Sequence, residues 1–223
     1  MRVGIIGSGD VGRILAAGFA SKGNDVMLGA RDPKATLANT KPGPYGQPSF
    51  ADWAKANPKV KVASMADAAK HGDILVFAVH GANVEDAVKA AGAQNMAGKL
   101  VLDTTNPLDF GPKGAHLPPN IKDSCLQTAQ RAAPKAHFVK AWNCTPGVSM
   151  VNPKHGPGDM VICGDDAKAK EQATKILKDF GWNTADAGDS SMAPYVEGMA
   201  LAIINYAAKT NDWGWIVKLA GRK

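Results

Sequence analysis

Cysteine is scarce in this 223-residue chain: Cys125, Cys144 and Cys163 are odd in number, far apart and without a Cys-x-x-Cys pair. That spacing argues against a disulfide framework and against a zinc site, and it fits a reducing cytoplasm. Long hydrophobic runs are missing as well, since no apolar stretch approaches the roughly 20 residues a membrane helix needs. A strand expected from Arg2 leaves no room ahead of it for a basic and then apolar leader, so no secretory signal is expected. Blocks of like charge are absent too. The net charge of +6 comes from lysines scattered through helical stretches, with no basic stripe interleaved with aromatics. A solvated surface is therefore expected, not a nucleic-acid or membrane partner. A modest positive field still attracts an anionic cofactor or substrate.

What is present is the composition of an ordinary globular protein, with 45% apolar and 21% charged residues, enough for one large domain or two unequal ones. Short β-rich runs alternate with helical patterns, which predicts βαβ units and an α/β fold of the Rossmann-like, doubly wound kind with a mostly parallel sheet. Strands are expected at 2–6, 25–29, 60–63, 74–79, 100–104 and 137–142, and helices at 11–22, 50–56, 65–70, 84–91 and 124–132. "DILVFAV" and "KLVLDTT" are apolar nearly throughout, as strands covered on both faces should be. Two Pro- and Gly-rich stretches, 39–49 and 106–120, read as loops. The second follows a strand's carboxyl end, where open α/β sheets bind ligands, so it is the candidate lining or lid and its first residue, Asn106, a candidate cofactor contact.

After Asn143 the texture changes: a strand in "MVICGDD", a helix ending at Gly181, a short strand in "NTADAG" and a helix over 192–208. This divides the chain into a nucleotide-binding domain over 1–143 and a smaller C-terminal α/β unit over 144–223, whose strands could extend the same sheet. No internal repeat or low-complexity segment is visible.

The first glycines carry the chemistry. Gly7-x-Gly9-x-x-Gly12 directly follows an expected strand and opens an expected helix, the context that a dinucleotide fingerprint requires. Gly7 permits the tight turn, Gly9 lets the backbone approach a pyrophosphate, and Gly12 allows helix and strand to pack closely. The end of the second strand then decides the dinucleotide. It reads "VMLGARDPK", where the Arg31 guanidinium suits a 2′-phosphate and Lys34 could add a second cation, while the Asp32 carboxylate could instead serve the ribose of NAD. Pro33 turns the chain just after Asp32, so Arg31 is the better placed and NADP is expected.

No Tyr-x-x-x-Lys pair occurs, since Tyr206 and Lys209 have the wrong spacing, and the five histidines show no zinc spacing. His80 ends the fourth strand, where it could line the nicotinamide pocket, act in catalysis or only shape the loop. Lys140 could be catalytic but reads better as a strand-end residue. Cys144 has no adjacent histidine to activate it and reads as packing. Trp213 and Trp215 sit in the tail "TNDWGWIVKLAGRK", where packing on the core is the default and contact with a dimer partner or a planar ligand are the alternatives; the tail itself could close the site or form the dimer contact.

Taken in order, "IIGSGDVGRILA", "LGARDPK", "LVLDTTNPL", "VKAWNC", "VICGDDAKAKEQA", "DFGWNTADAG" and "SMAPYVEGMALAIINYA" resemble one family over nearly the whole chain, the NADP-dependent coenzyme F420 reductases and related dinucleotide-binding enzymes. The series is also similar to the cytosolic domain of the STEAP metalloreductases, which use NADPH and a flavin, most closely at "VFAVH" and "GARDPK". The resemblance implies that Ser8, Gly9, Asp10 and Val11 hold the pyrophosphate and that Ala30, Arg31 and Lys34 hold the 2′-phosphate. It places Ala78, Val79 and His80 beside the nicotinamide ribose and Ala141 close to the nicotinamide. The implied chemistry is hydride transfer between NADP(H) and coenzyme F420 or a flavin (FMN or FAD), in a homodimer whose acceptor lies between the strand ends and the C-terminal unit. Ring-to-ring transfer depends mainly on positioning, which makes sense of the missing catalytic pair. At "KAWNCTP" the chain departs from the deazaflavin reductases, so a flavin or another small oxidised substrate stays open as the acceptor. The other readings are an NADPH-dependent reductase of a small carbonyl or imine, and a redox sensor that binds NADPH without turnover.

Overall fold

A computed structural model describes residues 1–43, 46–112, 114–118 and 123–221. Parts of both Pro- and Gly-rich stretches and the last two residues of the tail lie outside the described residues. The order of elements is β1 (Arg2–Ile6), α1 (Asp10–Ser21), β2 (Asp25–Ala30), α2 (Pro33–Leu37), α3 (Phe50–Ala56), β3 (Val60–Ser64), α4 (Met65–His71), β4 (Ile74–Phe77), α5 (Val84–Ala91), α6 (Ala93–Met96) and β5 (Leu100–Asp103). There follow β6 (Asp109–Gly111), β7 (Gly114–His116), α7 (Cys125–Ala132), β8 (His137–Lys140), β9 (Gly158–Ile162), α8 (Ala167–Asp179), β10 (Trp182–Asp186) and α9 (Ala193–Thr210).

The main sheet is parallel, in the order β3-β2-β1-β4-β5-β8. The chain winds outward from β1 in one direction and from β4 in the other, which makes this the expected Rossmann-like α/β fold and puts the topological switch point between β1 and β4. All four residues of β4 and of β5 are buried because helices cover both faces. On one face Phe19 of α1 packs edge-on against Trp142 at 6.2 Å and with tilted rings against Phe180 at 4.6 Å, so the segment after β8 shares a core with the first helix. On the other face Phe77 meets Phe138.

Besides the short α6, three features differ from the sequence reading. The fourth strand stops at Phe77 and the sixth strand of the sheet at Lys140, short of the expected Val79 and Trp142; Trp142 takes a left-handed φ of 56°, which breaks the extended chain. The stretch 106–120 is not all loop, because β6 and β7 pair antiparallel and are held to α9 by Asn205, whose side chain accepts from Ala115 N at 3.1 Å and donates to Ala115 O at 2.9 Å. A short helix, α2, follows β2 where none was expected. β9 and β10 form a parallel pair that meets β8 through one antiparallel bridge, Lys140 to Cys163.

The tail settles along β9. Asp159 N donates to Val217 O at 2.9 Å, and Leu219 N donates to the Asp159 carboxylate at 2.8 Å. Among the described residues no helix is long and apolar enough to cross a membrane.

Candidate functional site

Where β1 gives way to α1 the chain turns through Gly7, at φ 120°, a conformation that L side chains rarely adopt. A Cβ there would come within 2.1 Å of the Ala78 carbonyl oxygen, and one at Gly12 within 2.1 Å of the Gly7 carbonyl oxygen. Both glycines are thus required by close backbone approach. Gly9 differs: a Cβ there would meet nothing within 4 Å, so the open space in front of it is available to a ligand. Gly9 is also the N-cap of α1 and contributes no side-chain cap, which leaves the first-turn N–H groups open to an anion at the positive end of the helix. The Asp10 carboxylate pairs with Arg13 and accepts from Gln47 Nε2 at 3.0 Å. Arg13 also donates to Pro48 O, fastening the 39–49 stretch to the same helix.

This turn forms one wall of a cleft of about 290 Å³ over the switch point, lined by Gly7, Ser8, Gly9, Arg31, Met65, Ala78, Val79, His80, Asn83, Asp86, Ala87 and Ala90. At the exit of β2, Asp32 is the N-cap of α2, its carboxylate accepting from Ala35 N at 3.0 Å with Pro33 in the first turn. That carboxylate is engaged in building a helix. Arg31 is exposed and, among the described residues, makes no side-chain hydrogen bond or ion pair. The cleft therefore offers a free guanidinium at one end and open backbone amides in the middle, which fits a dinucleotide with a 2′-phosphate. At the exit of β4, His80 Nδ1 accepts from Ala82 N at 3.4 Å, so the ring caps the turn leading into α5.

The exits of β5 and β8 are built differently. Lys140 and Asp103 are fully buried and Glu197, from α9, nearly so; the ammonium lies 2.6 Å from a carboxylate oxygen of each. It also donates to Thr105 O at 2.8 Å. Thr105 in turn donates to Asp103 through N and Oγ1, and Glu197 accepts from Cys125 N and Leu126 N, capping α7 from another part of the chain. Burial works against the Lys140 charge, yet the two carboxylates outweigh it and hold the group above its ordinary value. Burial lifts the Glu197 carboxyl, with Lys140 pulling down and Asp103 pushing up. Both Glu197 oxygens accept from N–H groups, so its geometry is that of a carboxylate. Lys140 is a structural cation, as its strand-end position suggested. Burial likewise pushes the Cys144 thiol up to about 11, consistent with packing.

Of the residues singled out from the sequence, Gly7, Ser8, Gly9, Arg31, Ala78, Val79 and His80 line the cleft together. Asp10 and Ala30 adjoin lining residues in the chain, Val11, Gly12 and Lys34 stand two or three positions from one, and none of the five lines the cleft; Ala141 is fully buried. Asn106 stands past the end of β5, bonded to Asn143. Met65 and, from the turn after β4 and along α5, Asn83, Asp86, Ala87 and Ala90 were missed. The signal was present, since α5 follows β4 as α1 follows β1 and so starts at the same crest.

Residues 2–107 match the family described as "NADP oxidoreductase coenzyme F420-dependent". A solved structure from Arthrobacter sp. FB24, provisionally named an F420-dependent NADP-reductase, is 34% identical and superposes with a TM-score of 0.90 over 98% of both chains. Metalloreductase STEAP3 from Rattus norvegicus is 28% identical over 91% of this chain, which spans 37% of that protein's length. An imine reductase from Streptomyces aurantiacus shares the fold, with a TM-score of 0.65 and 16% identity over 96% of this chain and 64% of that one. With a third of its residues shared end to end with the Arthrobacter protein, and the family's sequence pattern running from β1 to past β5, the chain belongs to the F420-dependent family of NADP oxidoreductases.

Proposed function

We propose that this chain moves a hydride between NADP(H), laid along the exits of β2, β1 and β4, and a coenzyme F420 or flavin-like ring seated over the exits of β5 and β8. The observation that carries the cofactor half is the free Arg31 beside an Asp32 committed to the α2 cap. In this reading Arg31, with Lys34 nearby, grips the 2′-phosphate, and the backbone from Ser8 to Val11 receives the pyrophosphate. Ala78, Val79 and His80 shape the ribose pocket, with Asn106 and Ala141 beyond it. Bound NADPH supplies the hydride. The chain's residues orient the two rings and exclude water, and no dedicated general acid is needed when both partners are rings.

A cytoplasmic homodimer is part of the same proposal. Tyr195 and Tyr206 on α9 are 70% and 60% exposed, and Phe110 of the adjoining hairpin is 64% exposed, an apolar face suited to a second copy. The fold shared with an imine reductase favours a second reading, reduction of a small imine or carbonyl with His80 or Asp86 of the cleft as proton source.

The deciding experiment is a screen of NADPH oxidation against F420, FMN, FAD and simple carbonyls and imines. Acceleration by a ring acceptor is expected. Turnover with carbonyls or imines alone supports the second reading, and tight NADPH binding without turnover of any acceptor points to a sensor.

A further inference from the structure

The cleft covers the exits of β2, β1 and β4, while just past the next strands of the sheet stand polar atoms that the fold leaves unsatisfied. Among the described residues three buried side-chain polar atoms have no hydrogen-bond partner, and two of them, Asn143 Oδ1 and Thr145 Oγ1, lie beyond the end of β8. The third is Trp215 Nε1 in the tail. Asn143 is 5% exposed and Thr145 is 9% exposed.

The orientation of the Asn143 amide is fixed by its neighbours. Its Nδ2 donates to Asn106 Oδ1 at 3.2 Å and to the Val196 carbonyl of α9 at 3.0 Å. Asn106 is itself oriented by donating to the Asn143 carbonyl at 2.8 Å. Both partners of the Asn143 nitrogen are therefore acceptors, so a flip would set oxygen against oxygen, and Oδ1 is the atom left over. Asn106 also connects this corner to the cofactor cleft, because its carbonyl oxygen lies 2.3 Å from where a Cβ on Gly81 would be, in the turn after His80. A buried acceptor and a buried hydroxyl without partners cost stability, and each such group calls for an explanation. At the carboxyl ends of strands in an open α/β sheet, a ligand is the natural one.

We propose that Asn143 and Thr145 form the polar end of the acceptor site and read an imide edge of the hydride acceptor. Asn143 Oδ1 accepts from the ring N–H, and the Thr145 hydroxyl donates to the adjoining carbonyl. This rests on the ring-acceptor reading above and narrows it. Flavins and deazaflavins share an edge in which an N–H stands between two carbonyls, whereas simple carbonyls and imines lack it. Both residues are thus specificity determinants for the acceptor; Thr145 leaves NADPH binding alone, whereas Asn143 also holds Asn106 in place.

The test uses the full chain, NADPH, and two acceptors that differ only at that nitrogen, lumiflavin and 3-methyllumiflavin. NADPH affinity is followed separately by fluorescence titration, and lumiflavin binding to the NADP⁺-loaded protein by flavin quenching, so the comparison does not depend on turnover. Wild-type protein is expected to favour lumiflavin, and Asn143→Ala to lose that preference. Thr145→Val is expected to raise KM and Kd for lumiflavin about tenfold while NADPH affinity is unchanged. The same variant should melt at the same or a higher temperature, because an unpaired buried hydroxyl has been removed, and it carries the test alone if Asn143→Ala fails to fold. A Thr145→Val protein with raised melting temperature and unchanged lumiflavin affinity would overturn the proposal. So would a wild type that binds both flavins equally while still reducing them. A wild type that binds neither flavin and reduces only carbonyls or imines would overturn the ring-acceptor reading itself, and this subsite with it.

Discussion

Two stretches of the same crest handle charge in opposite ways. At the exits of β2, β1 and β4 the polar groups are left open: Arg31 has no partner among the described residues, Gly9 faces empty space, and α1 has no side-chain cap. At the exits of β5 and β8, Lys140, Asp103 and Glu197 satisfy one another in full burial. The first arrangement is cheap to solvate and becomes valuable only when an anion arrives. The second is complete as it stands and ties α9 to the sheet and to α7. A charged residue at a strand's carboxyl end is therefore not by itself a catalytic candidate. Whether its partners lie within the fold decides the matter.

The comparison is broken most severely at Lys140. Lys140→Met removes the cation from two buried carboxylates and should cost about 3–5 kcal/mol, measured by urea unfolding. The pH dependence gives the sign. A raised lysine contributes stability that is fully present below its ordinary 10.5 and is lost as pH rises through the higher folded value, so wild type should weaken above that point. The variant should instead gain stability as pH falls, because its uncompensated carboxylates now favour protons. Equal pH profiles for the two proteins would deny the cluster its structural role.

Arg31→Ala breaks the open side and leaves the fold alone. Loss of charge-assisted hydrogen bonds to a 2′-phosphate should weaken NADPH by about 1.5–3 kcal/mol, some ten- to hundredfold, with NADH affinity unchanged. Equal losses for both nucleotides would remove the NADP assignment from Arg31.

The two regions also differ in how far the sequence reveals them. The glycine turn, Arg31 and the β4 exit are local, each a motif within a few residues of a strand end, and they line one cleft. The ion cluster joins strand ends to Glu197 on the last helix and to the first turn of α7, a set of contacts that no local pattern encodes. The same reason hid the β6–β7 hairpin, whose anchor, Asn205, belongs to α9. α2 is a different kind of miss. Asp32 followed by Pro33 is a readable N-cap and first-turn pair, but a carboxylate at the end of the second strand reads equally as a ribose ligand. Asp32→Ala sharpens this point: it should cost about 1 kcal/mol through the lost cap and leave the NADPH-to-NADH preference where it was. A large shift in that preference would return Asp32 to the cofactor site.

The smallest expected effect is none, and it separates a buried polar environment from a reactive one. Cys125 sits beside the ion cluster, where a nearby ammonium could in principle favour a thiolate. Its pKa is nevertheless pushed up to about 12, first by burial and then by Glu197, with Lys140 opposing and Asp103 adding to the rise. Burial first also takes Cys163 to about 12. At pH 8 all three thiols of the native protein should therefore resist a thiol-exchange reagent such as DTNB, and activity should survive the treatment, while the urea-unfolded chain should react in full. Fast labelling of Cys125 in the native state would mean that Lys140 prevails over the two carboxylates there. The cluster would then be an activating site and no longer a closed one.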